Sequence, residues 1–227
     1  MKLFLDTANL NDIELALNKG FIKGITTNPS LMSKEPKGNY IEHMKEIVSL
    51  INEAYVPAIG ILSLSVEVFA KKSTDIIEQA KILYDAIEYE NLSIKVPIGW
   101  DELEAINVLA HQGFKINCTC IFTEAQCMLA TNAGARYISI FGNRVKDLRG
   151  SFTQVVGATR KWLDMNNISD TEIIVGSIRS GIDVVEAQLA GAHIVTAGLE
   201  HYVKMSEHSG TTASVNQFLS DFEEWVE

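Results

Sequence analysis

Little in this chain points to disulfides, metals, nucleic acid or membranes. Its 227 residues hold three cysteines, Cys118, Cys120 and Cys127, an odd number in no zinc-ligand spacing. That pattern fits buried thiols in a reducing compartment better than disulfides or a metal site. The five histidines are scattered and include no HExxH pair, so no metal is expected. Lys and Arg number 19 against 29 Asp and Glu, a net charge of -10, which leaves no clustered basic face for nucleic acid. No apolar run approaches the roughly 18 residues of a membrane helix. The opening Met1-Lys2-Leu3-Phe4-Leu5-Asp6 meets a carboxylate too early for a signal peptide. The expectations are a cytoplasmic protein with no nucleic-acid and no membrane partner. There is no P-loop and no GxGxxG, so a nucleotide is not the natural ligand. No linker or low-complexity tract divides the chain.

What is present is a repeating alternation. Short apolar, β-branched runs at residues 3–6, 24–26, 58–68, 92–96, 115–122, 137–141, 172–176 and 192–196 read as strands. Between them, residues 9–18, 40–52, 74–87, 101–111, 124–132, 152–165 and 181–189 carry helical patterns. Asp101 and Thr123 are candidate N-caps, and Gly113, Gly134 and Gly191 stand where helices hand over to strands. Such alternation admits an open doubly wound sheet or a closed barrel. Eight strands predict an α/β fold of the (β/α)8 TIM barrel type, a single domain over residues 1–227. After the last strand come a short helix over 199–205 and an extra C-terminal amphipathic helix over about 212–226. In the latter, Val215, Phe218, Leu219, Phe222 and Trp225 form one apolar stripe, to be covered by this barrel or by a neighbour's.

In a barrel strand alternate residues face the interior and the helices, so parity sorts the polar groups. Ser63, Ser65 and Glu67 share one face, while Leu64, Val66 and Val68 share the other and must meet the helices. Glu67 therefore points inward. The same rule turns Ser93 and Lys95 inward, away from Leu92, Ile94 and Val96. It puts Asn117 and Thr119 on one face of strand five and Cys118 and Cys120 on the other. Phe4 goes with Asp6, and Tyr137 with Ser139 and Phe141. Each polar group falls near the C-terminal end of its strand, the rim at which (β/α)8 enzymes build their sites. Buried polar groups cost energy unless paired, so these form either a structural network or a site. Lys95 seen alone could end a strand in water; among inward-facing polar groups, a poorly solvated amine is a candidate nucleophile.

Two rim regions remain. Thr26 and Asn28 lie in the segment from Gly24 to Ser30, where Pro29 stops the sheet ladder. Taken generically, Asn-Pro is only a turn signal. Gly142-Asn143-Arg144 follows strand six, and Ser177-Ile178-Arg179-Ser180-Gly181 follows strand seven and opens a helix. Arginines there are either solvated surface ion pairs or, with Ser177 and free backbone N–H groups, a phosphate monoester site.

Leu5-Asp6-Thr7, the segment from Gly24 to Ser30, Ile94-Lys95-Val96-Pro97, the strand from Asn117 to Phe122, and the Arg144 and Ser177/Arg179 loops together resemble the transaldolases. The likeness is to the short subfamily that includes the fructose-6-phosphate aldolases, and it runs from Leu3 to the terminal helix. It implies that Lys95 is the Schiff-base lysine and that Asp6 handles the proton of the substrate's C4 hydroxyl. Glu67, with a water held by Thr119, would shuttle protons as the imine forms and breaks. Asn28, Asn117 and Ser139, with Thr26 beside them, would hold the hydroxyls of a three-carbon unit. Arg144, Ser177 and Arg179 would clamp a phosphate. The implied partners are phosphorylated, or similarly anionic, ketose and aldose substrates, with no organic cofactor. The implied assembly is a homo-oligomer, pentamer or decamer, with the terminal helix on a neighbour.

Within the family, aldolases look to have glutamine where this chain has Glu67 and tyrosine where it has Phe141. The resemblance therefore favours a transaldolase, with a fructose-6-phosphate aldolase as the alternative and an inactive sugar-phosphate binding protein as the reading from another class. A tyrosine hydroxyl helps hydrolytic release of the three-carbon product; phenylalanine offers no such help. Ile140 stands where a proline often precedes the aromatic, and Asn143 where glycine is common in longer members. With Trp100, these departures bear on acceptor choice rather than on lysine chemistry.

Overall fold

The structure, a computed structural model, describes residues 1–54 and 60–226. In chain order the first half runs β1 (Lys2–Asp6), α1 (Leu10–Lys19), β2 (Gly24–Thr26), α2 (Pro29–Met32), α3 (Tyr40–Glu53), β3 (Ser63–Glu67), α4 (Ser73–Ile87), β4 (Leu92–Pro97) and α5 (Trp100–His111). The second half runs β5 (Lys115–Ile121), α6 (Glu124–Asn132), β6 (Tyr137–Phe141), α7 (Gly142–Asp147), α8 (Phe152–Met165), β7 (Glu172–Gly176), α9 (Gly181–Leu189), β8 (Ile194–Ala197), α10 (Leu199–Ser206) and α11 (Ser209–Val226). All neighbouring strands pair in parallel and β8 returns to β1, so the sheet is a closed (β/α)8 barrel. Ala58 and Ile59 of the strand expected over 58–68 lie outside the described residues.

The outward residues of the strands, such as Leu64, Val66, Ile94, Val96 and Ile138, are fully buried against the apolar stripes of the helices. Those stripes come from Ile13 of α1, Ile47 of α3, Ile76 of α4 and Ile106 of α5 among others. Inside the barrel a second, smaller cluster of Phe4, Tyr137, Ile174 and Ile194 fills the floor. Gly24 makes room for it: a Cβ there would come within 2.8 Å of both the Phe4 ring and the Ser63 carbonyl. Above this floor the inward positions turn polar.

Local chemistry sets the element ends. α1 starts at Asn9, whose side chain accepts from the Asp12 N–H, and stops at Gly20 with φ 70°. α6 starts with a capping box between Thr123 and Gln126. Asp101 was expected to cap α5, but Gly99 is the cap residue and Asp101 sits in the first turn, where a carboxylate complements the helix dipole. α11 buries none of its residues on this chain, and Phe218, Phe222 and Trp225 are exposed.

Candidate active site

Strand register brings the rim residues into order before any side chain is considered. Asp6 pairs with Thr26, Glu67 with Lys95, and Lys95 with Asn117 across neighbouring strands. Above the apolar floor opens a cavity of about 280 Å³. Asp6, Thr26, Asn28, Glu67, Lys95 and Thr119 line one part of it, and Ser139, Phe141, Arg144 and Ser177 the other. Ten of the twelve residues singled out in the sequence thus border one space. Asn117 lies just beneath, fully buried, donating to Ser65 Oγ at 3.1 Å and accepting from Ser139 Oγ at 2.7 Å. Arg179 is the twelfth, and it stands outside.

Lys95 is 5% exposed. Its Nζ donates to the Thr27 carbonyl at 2.7 Å and lies 3.1 Å from Glu67 Oε2. Two partners in fixed directions hold the amine at the cavity wall, where a flexible surface lysine would sample many rotamers. Among the described residues Thr119 Oγ1 is buried with no hydrogen-bond partner. A hydroxyl left so is costly unless a water or a ligand hydroxyl completes it.

Asp6 accepts from Thr26 Oγ1 at 2.7 Å. The Thr26 oxygen is also 2.6 Å from Thr196 Oγ1. Since the single Thr26 proton goes to the carboxylate, the Thr196 hydroxyl donates to Thr26, and the three form a short relay. Desolvation pushes the Asp6 carboxyl above the ordinary carboxylate range, opposed by the nearby Lys95 charge and the Thr26 hydrogen bond, with Glu67 adding to the rise. Asn28 spends its side-chain oxygen on capping α2, accepting from the Leu31 N–H at 3.1 Å, so its amide nitrogen is the end left for the cavity.

At the opposite end Arg144 lies over the Phe141 ring, 4.7 Å from its centroid. Among the described residues it makes no salt bridge. Ser177 has φ 56°, a left-handed backbone uncommon for a residue with a Cβ. Arg179 instead forms a bidentate pair with Asp147, its Nη1 donating to Oδ1 at 2.8 Å and its Nη2 to Oδ2.

With this geometry in view, comparison with known proteins decides the family. Residues 3–226 match the family described as Transaldolase/Fructose-6-phosphate aldolase. The chain belongs to the transaldolase/fructose-6-phosphate aldolase family. A probable transaldolase of Caldicellulosiruptor saccharolyticus is 38% identical over 227 residues, 98% of this chain and 97% of the relative. Probable transaldolases of Thermoanaerobacter sp. (38% over 222 residues) and Symbiobacterium thermophilum (35% over 223 residues) match over the same shares of both chains.

Two residues of this transaldolase/aldolase family member reach the cavity against or beyond the sequence reading. Cys120 was expected to face the helices with Cys118. The ladder between β5 and β6 slips between Cys118 and Ile121, and Cys120 takes φ 59°, so the bulge turns it into the cavity beside Thr119. Burial pushes its thiol up, with the Glu67 charge adding and Lys95 and Arg144 opposing, which makes it a wall rather than a thiolate nucleophile. Thr196 also lines the cavity. Its signal was available: it stands two residues after Ile194 on β8, on the inward face and at the rim.

Proposed function

We propose that the protein is a transaldolase that moves a dihydroxyacetone unit between phosphorylated sugars through a Schiff base on Lys95. The observation that carries the reading is the Lys95 amine, buried at a cavity wall 3.1 Å from Glu67, with the Asp6 carboxylate lining the same cavity. Before the nitrogen can attack a ketone it must lose a proton, and Glu67 is within reach to take it. Attack on the substrate's C2 carbonyl gives a carbinolamine, and loss of water gives the protonated imine. Thr119, whose hydroxyl has no partner among the described residues, suits a water that carries protons between Glu67 and the carbinolamine oxygen.

The imine is an electron sink. The C3–C4 bond breaks with its electron pair passing toward the imine, leaving an enamine on Lys95, while Asp6 accepts the C4 hydroxyl proton and an aldose phosphate leaves. The enamine then attacks a second aldose phosphate, Asp6 returns the proton to the new C4 hydroxyl, and water releases the ketose from the lysine. This chemistry uses the protein's own amine and calls for no cofactor. Asn28 and Ser139 hold the hydroxyls of the three-carbon unit, with Asn117 fixing Ser139 from beneath and Thr26 orienting Asp6. Arg144 and Ser177 take the ester anion at the far end, and Arg179 joins them by exchanging Asp147 for the ligand.

Phe141 and Glu67 favour transfer over hydrolytic release. Phenylalanine carries no hydroxyl to help water release the three-carbon unit, so the enamine waits for an aldehyde. Assaying fructose 6-phosphate turnover with and without erythrose 4-phosphate tests this directly. Strong dependence on the acceptor is expected; steady formation of free dihydroxyacetone without it would make the protein an aldolase. The uncovered apolar stripe of α11 supports a homo-oligomer in which that helix packs on a neighbour. A monomer in light scattering would refute it.

A further inference from the structure

The strained backbone at Ser177 is held from outside the cavity. Its carbonyl accepts twice from a single residue, from the Asn143 backbone N–H at 3.1 Å and from Asn143 Nδ2 at 2.8 Å. The second hydrogen of that amide goes to Asp183 Oδ2 at 2.9 Å. The same carboxylate oxygen accepts from the Arg179 N–H and from Ser180 Oγ, each at 3.0 Å, while Oδ1 accepts from Lys146 Nζ at 2.8 Å. Asp183 is only 4% exposed and Asn143 7%. One buried carboxylate therefore gathers donors from both sides of Arg144 in the α7 segment and from the two residues that open the way to α9.

We propose that Asp183 is a positioning residue for the anion end of this site, holding Asn143 so that Ser177 stays in its left-handed conformation and Arg144 stays over the cavity. The inference rests on the reading of Arg144 and Ser177 as the ester site. A non-glycine residue at positive φ persists only where its surroundings over-determine it. Asn143 supplies that constraint, and its own amide is fixed by Asp183. Burial disfavours the Asp183 carboxylate, but hydrogen bonds from Lys146, Asn143, the Arg179 N–H and Ser180 outweigh it and hold the carboxyl well below the ordinary range. It is thus a fixed charge through any working pH, suited to holding donors and unsuited to moving protons. Removing a negative charge near an anion site would by itself tighten anion binding. A positioning role predicts the opposite.

The test compares Asp183→Ala, Asp183→Asn and Asn143→Gly with the wild-type protein on two acceptors, glyceraldehyde 3-phosphate and unphosphorylated glyceraldehyde. The expected result in Asp183→Ala and Asn143→Gly is a rise in KM for the phosphorylated acceptor of about tenfold or more, with kcat falling less and the unphosphorylated acceptor losing much less. Asp183→Asn keeps an oxygen for Asn143 and the Arg179 N–H and recovers part of the loss. Borohydride trapping of free dihydroxyacetone on Lys95 reports whether each variant retains the lysine end, and Asp183→Asn together with Asn143→Gly keeps the test open if Asp183→Ala does not fold. Equal losses on both acceptors, or an unchanged or lower KM for the phosphorylated one, would overturn the proposal. If the wild type itself shows no preference for the phosphorylated acceptor, the ester site is misassigned and the proposal falls with it; a wild-type preference that the variants keep sinks the positioning role alone.

Discussion

The cavity has one end built from strand interiors and another built from the segments that follow strands. Glu67, Lys95 and Thr119 project from β3, β4 and β5, are each at most 8% exposed, and have their separations set by ladder register. Arg144 and Arg179 lie past the ends of β6 and β7, are exposed, and depend on side-chain partners for their direction. Bond-making demands fixed geometry at the sub-ångström level, which a closed parallel barrel provides. An ester anion needs charge and adaptable donors, which a rim segment provides.

This contrast predicts a ranking of effects. Lys95→Ala removes the proposed nucleophile, and turnover is expected to fall by about a thousandfold or more. Residual activity near wild type would break the contrast at its root. Next comes the proton chemistry at Asp6. Its carboxyl lies above the ordinary range and, in the proposed mechanism, must be ionised to accept a proton, so activity is expected to fall as pH drops through that raised value. The acid limb of kcat/KM should thus sit above the value near 3.9 of an ordinary aspartate. Thr26→Val removes a hydrogen bond that lowers the Asp6 pKa, so it should move the limb further up; a shift downward would contradict the relay.

How far the site could be read from sequence follows the same division. Parity alone turned Glu67, Lys95, Asn117 and Ser139 inward, because strand alternation leaves a side chain only two choices. It failed at Cys120, where one residue in a left-handed conformation resets the alternation and nothing in the sequence marks it. Asn28-Pro29 was legible only as a turn, although an N-capping Asn followed by Pro at the first helical position is also how a helix such as α2 starts. Arg179 was legible as a rim arginine, but not the ion pair that aims it. Its direction is set by Asp147, 32 positions earlier on another segment, and no local pattern encodes that pair.

Smaller effects test the rim end. Arg144→Ala should raise KM for phosphorylated substrates by about ten- to a hundredfold, with kcat much less affected. A loss confined to kcat would place Arg144 with the bond-making groups instead. Asp147→Ala frees Arg179 from its exposed pair, which contributes little to stability. If Arg179 can join the ester site, KM should then fall by about two- to threefold; an unchanged KM in Asp147→Ala and in Arg179→Ala would leave that arginine as a surface ion pair.

The central claim is that the lysine in β4 forms an imine with the substrate ketone. Incubation with fructose 6-phosphate, reduction with borohydride and peptide mass mapping tests it most directly. Imine chemistry at Lys95 predicts a reduced adduct on the peptide containing that residue and its disappearance in Lys95→Ala. An adduct on another lysine, or no adduct in a protein that turns the substrate over, would contradict it.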